Sequence, residues 1–345
     1  MTKKTKVAII GAGPIGLEMA VALKKAGIDY EHFDKGQIGN TITWFPDEMT
    51  FFSSPERIAI CNIPIPSTNQ GKTSKENYLA YLRMVVQAFD LQVRTYEEVV
   101  SIRPRGEEGF LLQSKTLQGT EHETFCEKLI LVTGDMHRPH LIGVPGENRP
   151  QVSHYFRNPH VYFRKKLVVV GGRNSAVEAA VRSWRCGADV TLCHLEEELS
   201  SDFVKYWILP EIQGCIKRGE IKRHARVKPR EIREDRVVFE RIDCDETLEV
   251  EADFVLLMTG FEADLTIFRT LGVELLGEKQ KPRLDEDTME SNIPNLYIAG
   301  TACSGSQQAY EVFIETSHIH VARIRNHILG EAPPQREKPR LLPES

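Results

Sequence analysis

The sequence predicts an α/β protein built from two nested dinucleotide-binding domains of the Rossmann type. Three observations lead to this prediction. An apolar strand run followed by a glycine-rich turn lies near the N-terminus, a second run of the same design begins at Lys166, and a strand that ends in Thr-Gly occurs twice. Because each such unit binds one dinucleotide, the chain is expected to bind two.

The first glycine loop follows the apolar run Val7 to Ile10, which is long enough for one buried parallel strand. Gly11, Gly13 and Gly16 then have the G-x-G-x-x-G spacing, which combines a tight turn, close approach of backbone to a pyrophosphate, and close packing of helix on strand. A second strand ends at Asp34, about 20 residues after the loop, where an acid binds a ribose hydroxyl pair. The spacing therefore predicts a complete βαβ nucleotide site.

The second glycine loop repeats this order. The apolar run Lys166 to Val170 is followed by Gly171-Gly172-Arg173-Asn174-Ser175, by a predicted helix over 176–186 and by a strand over 189–193 that ends at His194. The repeated order indicates a second nucleotide-binding unit in the same chain.

Two strands end in the same dipeptide, Thr133-Gly134 and Thr259-Gly260, and this internal similarity supports two related domains. The predicted division is a split first domain over 1–158 and 270–330, an inserted second domain over 159–269, and a disordered tail over 331–345. A final helix is predicted over 308–329, and another over 203–217 with an interruption at Pro210.

Composition excludes several classes. The chain has 345 residues, 41% hydrophobic and 27% charged, which is ordinary for a globular protein of about two domains. A net charge of −5 argues against a nucleic-acid surface, and no apolar run reaches the length of a membrane-spanning helix. Seven scattered cysteines give no disulfide framework, so a cytoplasmic location is expected, and no metal site is predicted.

Several motifs together resemble the thioredoxin-reductase-like flavoproteins known as bacillithiol disulfide reductases. The resemblance covers about residues 5–330 and implies FAD in the split domain, a nicotinamide nucleotide in the inserted domain, a homodimer, and reduction of a low-molecular-weight thiol disulfide. The motifs are G-A-G-P-I-G at 11–16, T-F-F-S-S at 50–54, V-P-G-E at 144–147, H-Y-F at 154–156, V-V-V-G-G-R-N-S at 168–175, W-I-L-P-E at 207–211 and E-V-F-I-E at 311–315.

Loop positions and the resemblance together predict two sets of binding residues. The predicted FAD-binding residues are Gly11, Gly13, Pro14, Ile15, Gly16, Asp34, Lys35, Phe51, Ser53, Thr133, Gly134, Gly300 and Thr301. The predicted NAD(P)H-binding residues are Gly171, Gly172, Arg173, Asn174, Ser175, His194, Thr259 and Gly260.

Two departures from the family affect the chemistry. Ile15 stands where the family has its proposed redox cysteine, and the chain has no C-x-x-C motif. Cys303, just after the predicted FAD-binding residues Gly300 and Thr301, is the remaining weak candidate for a redox thiol. Glu196, Glu197 and Glu198 follow His194 and would repel a 2′-phosphate, which favours NADH slightly, although Arg173 could reach a phosphate and the family uses NADPH.

Three functions remain open at this stage. The first is an FAD-dependent oxidoreductase that passes electrons from NAD(P)H to a small-molecule or redox-protein acceptor. The second is a flavin monooxygenase or NAD(P)H oxidase on the same scaffold. The third is a flavin-bound protein without catalysis that binds a partner.

Overall fold

The structure is a computed structural model that describes residues 2–67, 71–306 and 311–335. Within these residues the chain forms two compact units. Unit 1 contains 2–43, 48–138 and the chain from 261 onward, and unit 2 contains 44–47 and 139–260.

The strands of the described chain are numbered in sequence order. They are β1 (Lys3–Ile10), β2 (Tyr30–Asp34), β3 (Arg94–Thr95), β4 (Glu97–Pro104), β5 (Phe110–Thr116), β6 (Glu121–Leu131), β7 (Arg138–Pro139), β8 (Val152–Ser153), β9 (Lys166–Val170), β10 (Asp189–Cys193), β11 (Lys222–His224), β12 (Val227–Ile232), β13 (Arg236–Arg241), β14 (Thr247–Glu251), β15 (Phe254–Leu257), β16 (Phe261–Glu262), β17 (Leu275–Leu276), β18 (Lys281–Pro282) and β19 (Leu296–Ile298).

The α-helices of the same residues are α1 (Pro14–Lys25), α2 (Pro55–Ile58), α3 (Lys75–Ala88), α4 (Asn174–Arg185), α5 (Leu209–Lys217), α6 (Thr266–Leu271) and α7 (Ile314–Leu329). Short 3-10 helices cover Asn40–Trp44, Pro159–Tyr162 and Gly300–Ser304. Ser74 caps α3, because its hydroxyl accepts the backbone N–H of Asn77 at 3.1 Å.

Unit 1 is organised around a sheet in the order β3-β2-β1-β6-β5-β4. β1 pairs in parallel with both β2 and β6, whereas β4, β5 and β6 form an antiparallel meander. The long strand β6 also pairs in parallel with β19 at its C-terminal end. The carboxyl ends of β1, β6 and β19 therefore meet at one edge of the sheet, where ligands bind in open α/β sheets.

Unit 2 has a five-stranded parallel sheet in the order β11-β10-β9-β15-β8 and a three-stranded antiparallel sheet β12-β13-β14. Alternate residues of β9 are buried in two different apolar clusters: Leu167 and Val169 in one, Val168 and Val170 in the other. This burial on both faces explains why β9 reads as an uninterrupted apolar run. The α/β fold with two Rossmann-like units is confirmed.

The chain passes between the units earlier than the sequence predicts. Apart from the short excursion of 44–47, the crossings lie at 138/139 and 260/261, whereas the predicted ones lie at 158/159 and 269/270. The first difference arises because β8 pairs with β15, which places its segment in unit 2 before β9 begins.

Two predicted helices begin later in the structure. The prediction over 203–217 is observed only as α5, because Pro210 lies in its first turn, where the missing N–H is no loss. The final helix begins at Ile314 and not at 308, and 307–310 lie outside the described residues. Residues 336–345 of the predicted tail also lie outside them.

Candidate functional site

The first glycine loop joins β1 to α1, which begins with Pro14. Gly11 has φ +110°, and a Cβ there would lie 2.2 Å from the carbonyl oxygen of Val132; a Cβ on Gly16 would lie 1.9 Å from the carbonyl oxygen of Gly11. Gly13 has an ordinary φ of −72°, and no protein atom lies within 4 Å of a Cβ placed there. Gly11 and Gly16 are thus required by the protein's own packing, while Gly13 leaves the open backbone that a pyrophosphate needs.

Asp34 is at the end of β2 and holds the same loop. Its carboxylate accepts the N–H of Ala12 at 2.7 Å and the N–H of Gly36 at 2.8 Å. Burial raises the pKa of Asp34, and these two hydrogen bonds oppose the rise. Each oxygen keeps a lone pair for a ribose hydroxyl. Lys35 lies next to Asp34, and its ammonium is 3.0 Å from Nδ1 of His137.

His32 also contacts this loop, and the sequence analysis missed it. Its Nε2 donates to the carbonyl oxygen of Gly11 at 2.9 Å, and the side chain is buried. Burial lowers the pKa of His32 to about 4, so the ring is neutral at pH 7. Its place in the predicted strand directly before Phe33 and Asp34 was the signal that could have identified it.

The carboxyl ends of β6 and β19 contribute the remaining predicted residues of unit 1. Thr133 and Gly134 follow β6, and Gly300 and Thr301 follow β19. A Cβ on Gly134 would lie 3.7 Å from the hydroxyl oxygen of Thr301, and a Cβ on Gly300 would lie 3.6 Å from the Cβ of Ile15. Ile15 is buried. These residues converge from three separate stretches of sequence on the edge that carries the glycine loop.

Phe51 and Ser53 lie in the segment before α2. The hydroxyl of Ser53 donates to the carboxylate of Glu315 at the start of α7, and Arg57 forms an ion pair with the same carboxylate at 3.3 Å. The ring of Phe51 packs on Tyr78 with centroids 4.7 Å apart. The structure therefore attaches this segment to α7 and α3, and the sequence did not predict Glu315 as the partner of Ser53.

The environment of Cys303 disfavours a reactive thiol. Its sulfhydryl donates to the carbonyl oxygen of Ile298 at 3.3 Å, and burial raises its pKa strongly. His320 lies 3.9 Å away, but its Nδ1 accepts the N–H of Gly300, and burial lowers its pKa to about 4. A neutral ring used in this way supplies no positive charge to a thiolate.

The second glycine loop has the same turn geometry as the first. Gly171 has φ +139°, and a Cβ there would lie 2.7 Å from the carbonyl oxygen of Met258, just after β15. Thr259 donates from its hydroxyl to the carbonyl oxygen of His140 at 2.9 Å, and Gly260 has φ +92°. The second Thr-Gly pair thus lies beside the second loop, as the first pair lies beside the first.

Helix α4 begins directly after this loop, with Arg173 as its N-cap residue. The N–H of Asn174 donates to the carbonyl oxygen of Phe203 at 3.1 Å, and the guanidinium of Arg173 lies 4.9 Å from the centre of the Phe203 ring. Ser175 is in the first helical turn, where backbone N–H groups favour an anion such as a pyrophosphate.

The strand β10 leads to His194, a predicted NAD(P)H-binding residue, whose side chain is buried. Arg223 donates from Nε to Nε2 of His194 at 2.9 Å and pairs with Glu198 at 3.2 Å. The carboxylate of Glu196 lies over Gly172, with an oxygen 2.7 Å from the position of a Cβ on that glycine. The sequence analysis did not identify Arg223, because it comes from β11, almost 30 residues later.

A family model described as pyridine nucleotide-disulphide oxidoreductase matches residues 8–300. The chain belongs to this family. Members of it are expected to use FAD and NAD(P)H, and the chain is an FAD-dependent oxidoreductase. Two such dinucleotides fit the residues present. In unit 1 the backbone at Gly13 is open and the carboxylate of Asp34 is held by hydrogen bonds, and unit 2 repeats the glycine loop.

Individual relatives cover nearly the whole chain. Bacilliredoxin reductase Bdr of Bacillus subtilis is 36% identical over 323 residues, which are 94% of this chain and 97% of the relative. The solved structure of bacillithiol disulfide reductase Bdr from Bacillus cereus is 35% identical, with a TM-score of 0.90 over 95% of this chain and 99% of that chain. Thioredoxin reductase of T. acidophilum is 18% identical, with a TM-score of 0.72 over 95% and 99%, and shares the fold.

Across the described residues, every helix is too short or too polar to cross a membrane.

Proposed function

We propose that this protein uses NADH and bound FAD to reduce a low-molecular-weight thiol disulfide of the bacillithiol class. The observation that carries the proposal is the match to Bdr proteins over almost the full length of both chains. The open backbone at Gly13 of the first glycine loop and the matching strand-loop-helix order of the second loop support it.

FAD, when bound, accepts a hydride from the nicotinamide and passes two electrons on. In this proposal the residues of unit 1 bind and orient it. The backbone at Gly13 and the first turn of α1 would hold the pyrophosphate, Asp34 would accept hydrogen bonds from the ribose hydroxyls, and Gly134 and Thr301 would hold the flavin end of the cofactor.

The disulfide takes two electrons and two protons and gives two thiols, so one proton comes from solvent in addition to the hydride. We propose that no protein thiolate carries these electrons. Ile15 has no sulfur, and the half-buried thiol of Cys303 has a pKa that desolvation raises.

The proposed electron donor is NADH. The carboxylate of Glu196 lies over Gly172 of the second glycine loop and would repel a 2′-phosphate there. Arg173, the residue that favoured NADPH in the sequence, packs on Phe203 instead.

We also propose a homodimer in the cytoplasm. The family resemblance supports the dimer. All seven cysteines are free in the structure, which is typical of a reducing compartment.

Anaerobic reduction of the purified protein tests the function. FAD content is measured first, then bleaching of the flavin absorbance by NADH and by NADPH, and then reoxidation by bacillithiol disulfide, by ferredoxin and by oxygen. We expect full bleaching by NADH and the fastest reoxidation by bacillithiol disulfide. A colourless protein that does not take up FAD would refute the cofactor assignment, and a tenfold preference for NADPH would refute the donor.

The same experiment can refute the proposed electron acceptor separately. If the reduced protein reacts faster with ferredoxin or oxygen than with the disulfide, the acceptor is wrong while the oxidoreductase stands. Glu211→Gln is a suitable control variant, because Glu211 forms an exposed ion pair with Arg185 on the surface of unit 2.

A further inference from the structure

The two glycine loops can be compared residue by residue, because their strand registers are the same. The N–H of Gly11 donates to the carbonyl oxygen of Phe33 at 2.8 Å, and the N–H of Gly171 donates to that of Cys193 at 2.9 Å. The residue that follows Phe33 in unit 1 therefore has the same position in its strand as the residue that follows Cys193 in unit 2. Asp34 of unit 1 corresponds to His194 of unit 2.

The same register makes Ala12 equivalent to Gly172. In unit 1 the carboxylate of Asp34 accepts the N–H of Ala12 at 2.7 Å. In unit 2 a carboxylate also lies at the equivalent residue, but it belongs to Glu196, whose oxygen is 2.7 Å from the Cβ position of Gly172. Glu196 thus brings a carboxylate to the same loop residue as Asp34 does, although it comes two residues later in the chain and lies on the Cβ side of Gly172.

His194 has an unsatisfied donor beside this carboxylate. Its side chain is fully buried, and Nε2 accepts from Arg223, so the proton of the neutral ring is on Nδ1. Within the described residues Nδ1 makes no hydrogen bond, and the Glu196 carboxylate lies 3.7 Å from it. A buried donor without an acceptor is costly, so a small movement of Glu196 toward the ring is favourable.

The nearby arginines are already paired. The guanidinium of Arg223 also donates to the carbonyl oxygen of Glu197 and pairs with Glu198, and Arg226 pairs with Asp243 and with Glu197. A 2′-phosphate would have to replace these carboxylates before it could use either arginine.

We infer that Glu196 binds the adenosine ribose hydroxyls of the nicotinamide nucleotide and sets the preference for NADH, and that His194 and Arg223 are positioning residues for its carboxylate. This inference rests on the proposed function, since it names the specificity determinant of the same nucleotide site. The carboxylate accepts both ribose hydroxyls, while the Nδ1–H of His194 restrains its rotation.

Calorimetric titration of the FAD-loaded protein with NAD⁺ and with NADP⁺ tests the inference without turnover. The variants are Glu196→Gln, which keeps the size and removes the charge, and Arg223→Lys, which keeps the charge and removes the Nε donor to His194. Glu211→Gln is the matched control.

We expect Glu196→Gln to weaken NAD⁺ binding by about tenfold to a hundredfold and NADP⁺ binding by much less, because charged hydrogen bonds are lost only with the free ribose. Arg223→Lys should change the ratio of the two dissociation constants in the same direction by about threefold, an effect that a merely structural role would not produce. The control should leave both constants unchanged.

An unchanged NAD⁺/NADP⁺ ratio in Glu196→Gln would overturn the inference while the proposed reductase function stands. Tighter binding of NADP⁺ than NAD⁺ by the unmodified protein would overturn it as well. If the unmodified protein binds neither nucleotide, the proposed function itself fails.

Discussion

Substitution of Gly13 by alanine is expected to weaken FAD binding without changing the stability of the protein. A methyl group at Gly13 meets no protein atom within 4 Å, and the backbone has an ordinary extended conformation, with φ −72° and ψ −177°. Alanine restricts the backbone of the unfolded chain, which stabilises the folded protein by about 0.4–1 kcal/mol, whereas alanine at a helix N-cap destabilises it by a similar amount. We therefore expect the free energy of unfolding of the apoprotein to change by less than about 1 kcal/mol.

The effect on FAD binding should be large. The new methyl group occupies the space where the pyrophosphate approaches the backbone, and overpacking of this kind costs about 1–3 kcal/mol, which is about tenfold to a hundredfold in the dissociation constant. The assay is the recovery of FAD fluorescence on release from the protein, together with thermal unfolding of the apoprotein.

Gly16→Ala is the matched comparison, because its methyl group would lie 1.9 Å from the carbonyl oxygen of Gly11. That variant should lower the melting temperature with and without FAD. If Gly13→Ala binds FAD as tightly as the unmodified protein, the pyrophosphate does not approach the loop at Gly13, and the assignment of the flavin site is refuted.

Three further predictions concern side chains of unit 1. Cys303→Ser should leave disulfide turnover within about twofold, because a half-buried thiol with a raised pKa supplies little thiolate; a large loss would contradict this. The folded-state pKa of His32 is lowered to about 4, so stability should fall by up to about 3 kcal/mol as pH drops from about 6.5 to 4, and urea titrations should show a smaller fall in His32→Leu. His318 donates to Glu18 at 2.7 Å, and its pKa is raised in the folded state. Protonated His318 therefore stabilises the fold below pH about 6.5, and this stabilisation is lost as pH rises through the folded-state pKa. The urea midpoint of His318→Gln should not show that loss.

Local patterns were sufficient for the two βαβ units. The runs Lys166 to Val170 and Asp189 to Cys193 coincide with β9 and β10, because each is an apolar segment bounded by glycine or by a polar residue. The positions of Gly11 and Gly171 were equally readable, since a tight turn between strand and helix needs a positive φ.

Contacts between distant segments were not readable in the same way. β8 has only two residues and exists because it pairs with β15, about one hundred residues later, so the crossing between units could not be located from local composition. The pairing of Arg223 with His194 likewise depends on the parallel register of β10 with β11. Glu196 was recognised as a charge in the sequence, but only the fold shows that it lies over Gly172.

The two glycine loops differ most where a ligand would touch them. Gly11 and Gly171 both keep a positive φ and both approach a backbone carbonyl too closely for a side chain, so the turn itself is the same. At the position of Gly13, where the first loop is open, the second loop has Arg173, which packs on Phe203 at the start of α4. Packing inside each unit thus explains the common residues, whereas the different residues are those expected to distinguish a flavin from a nicotinamide nucleotide.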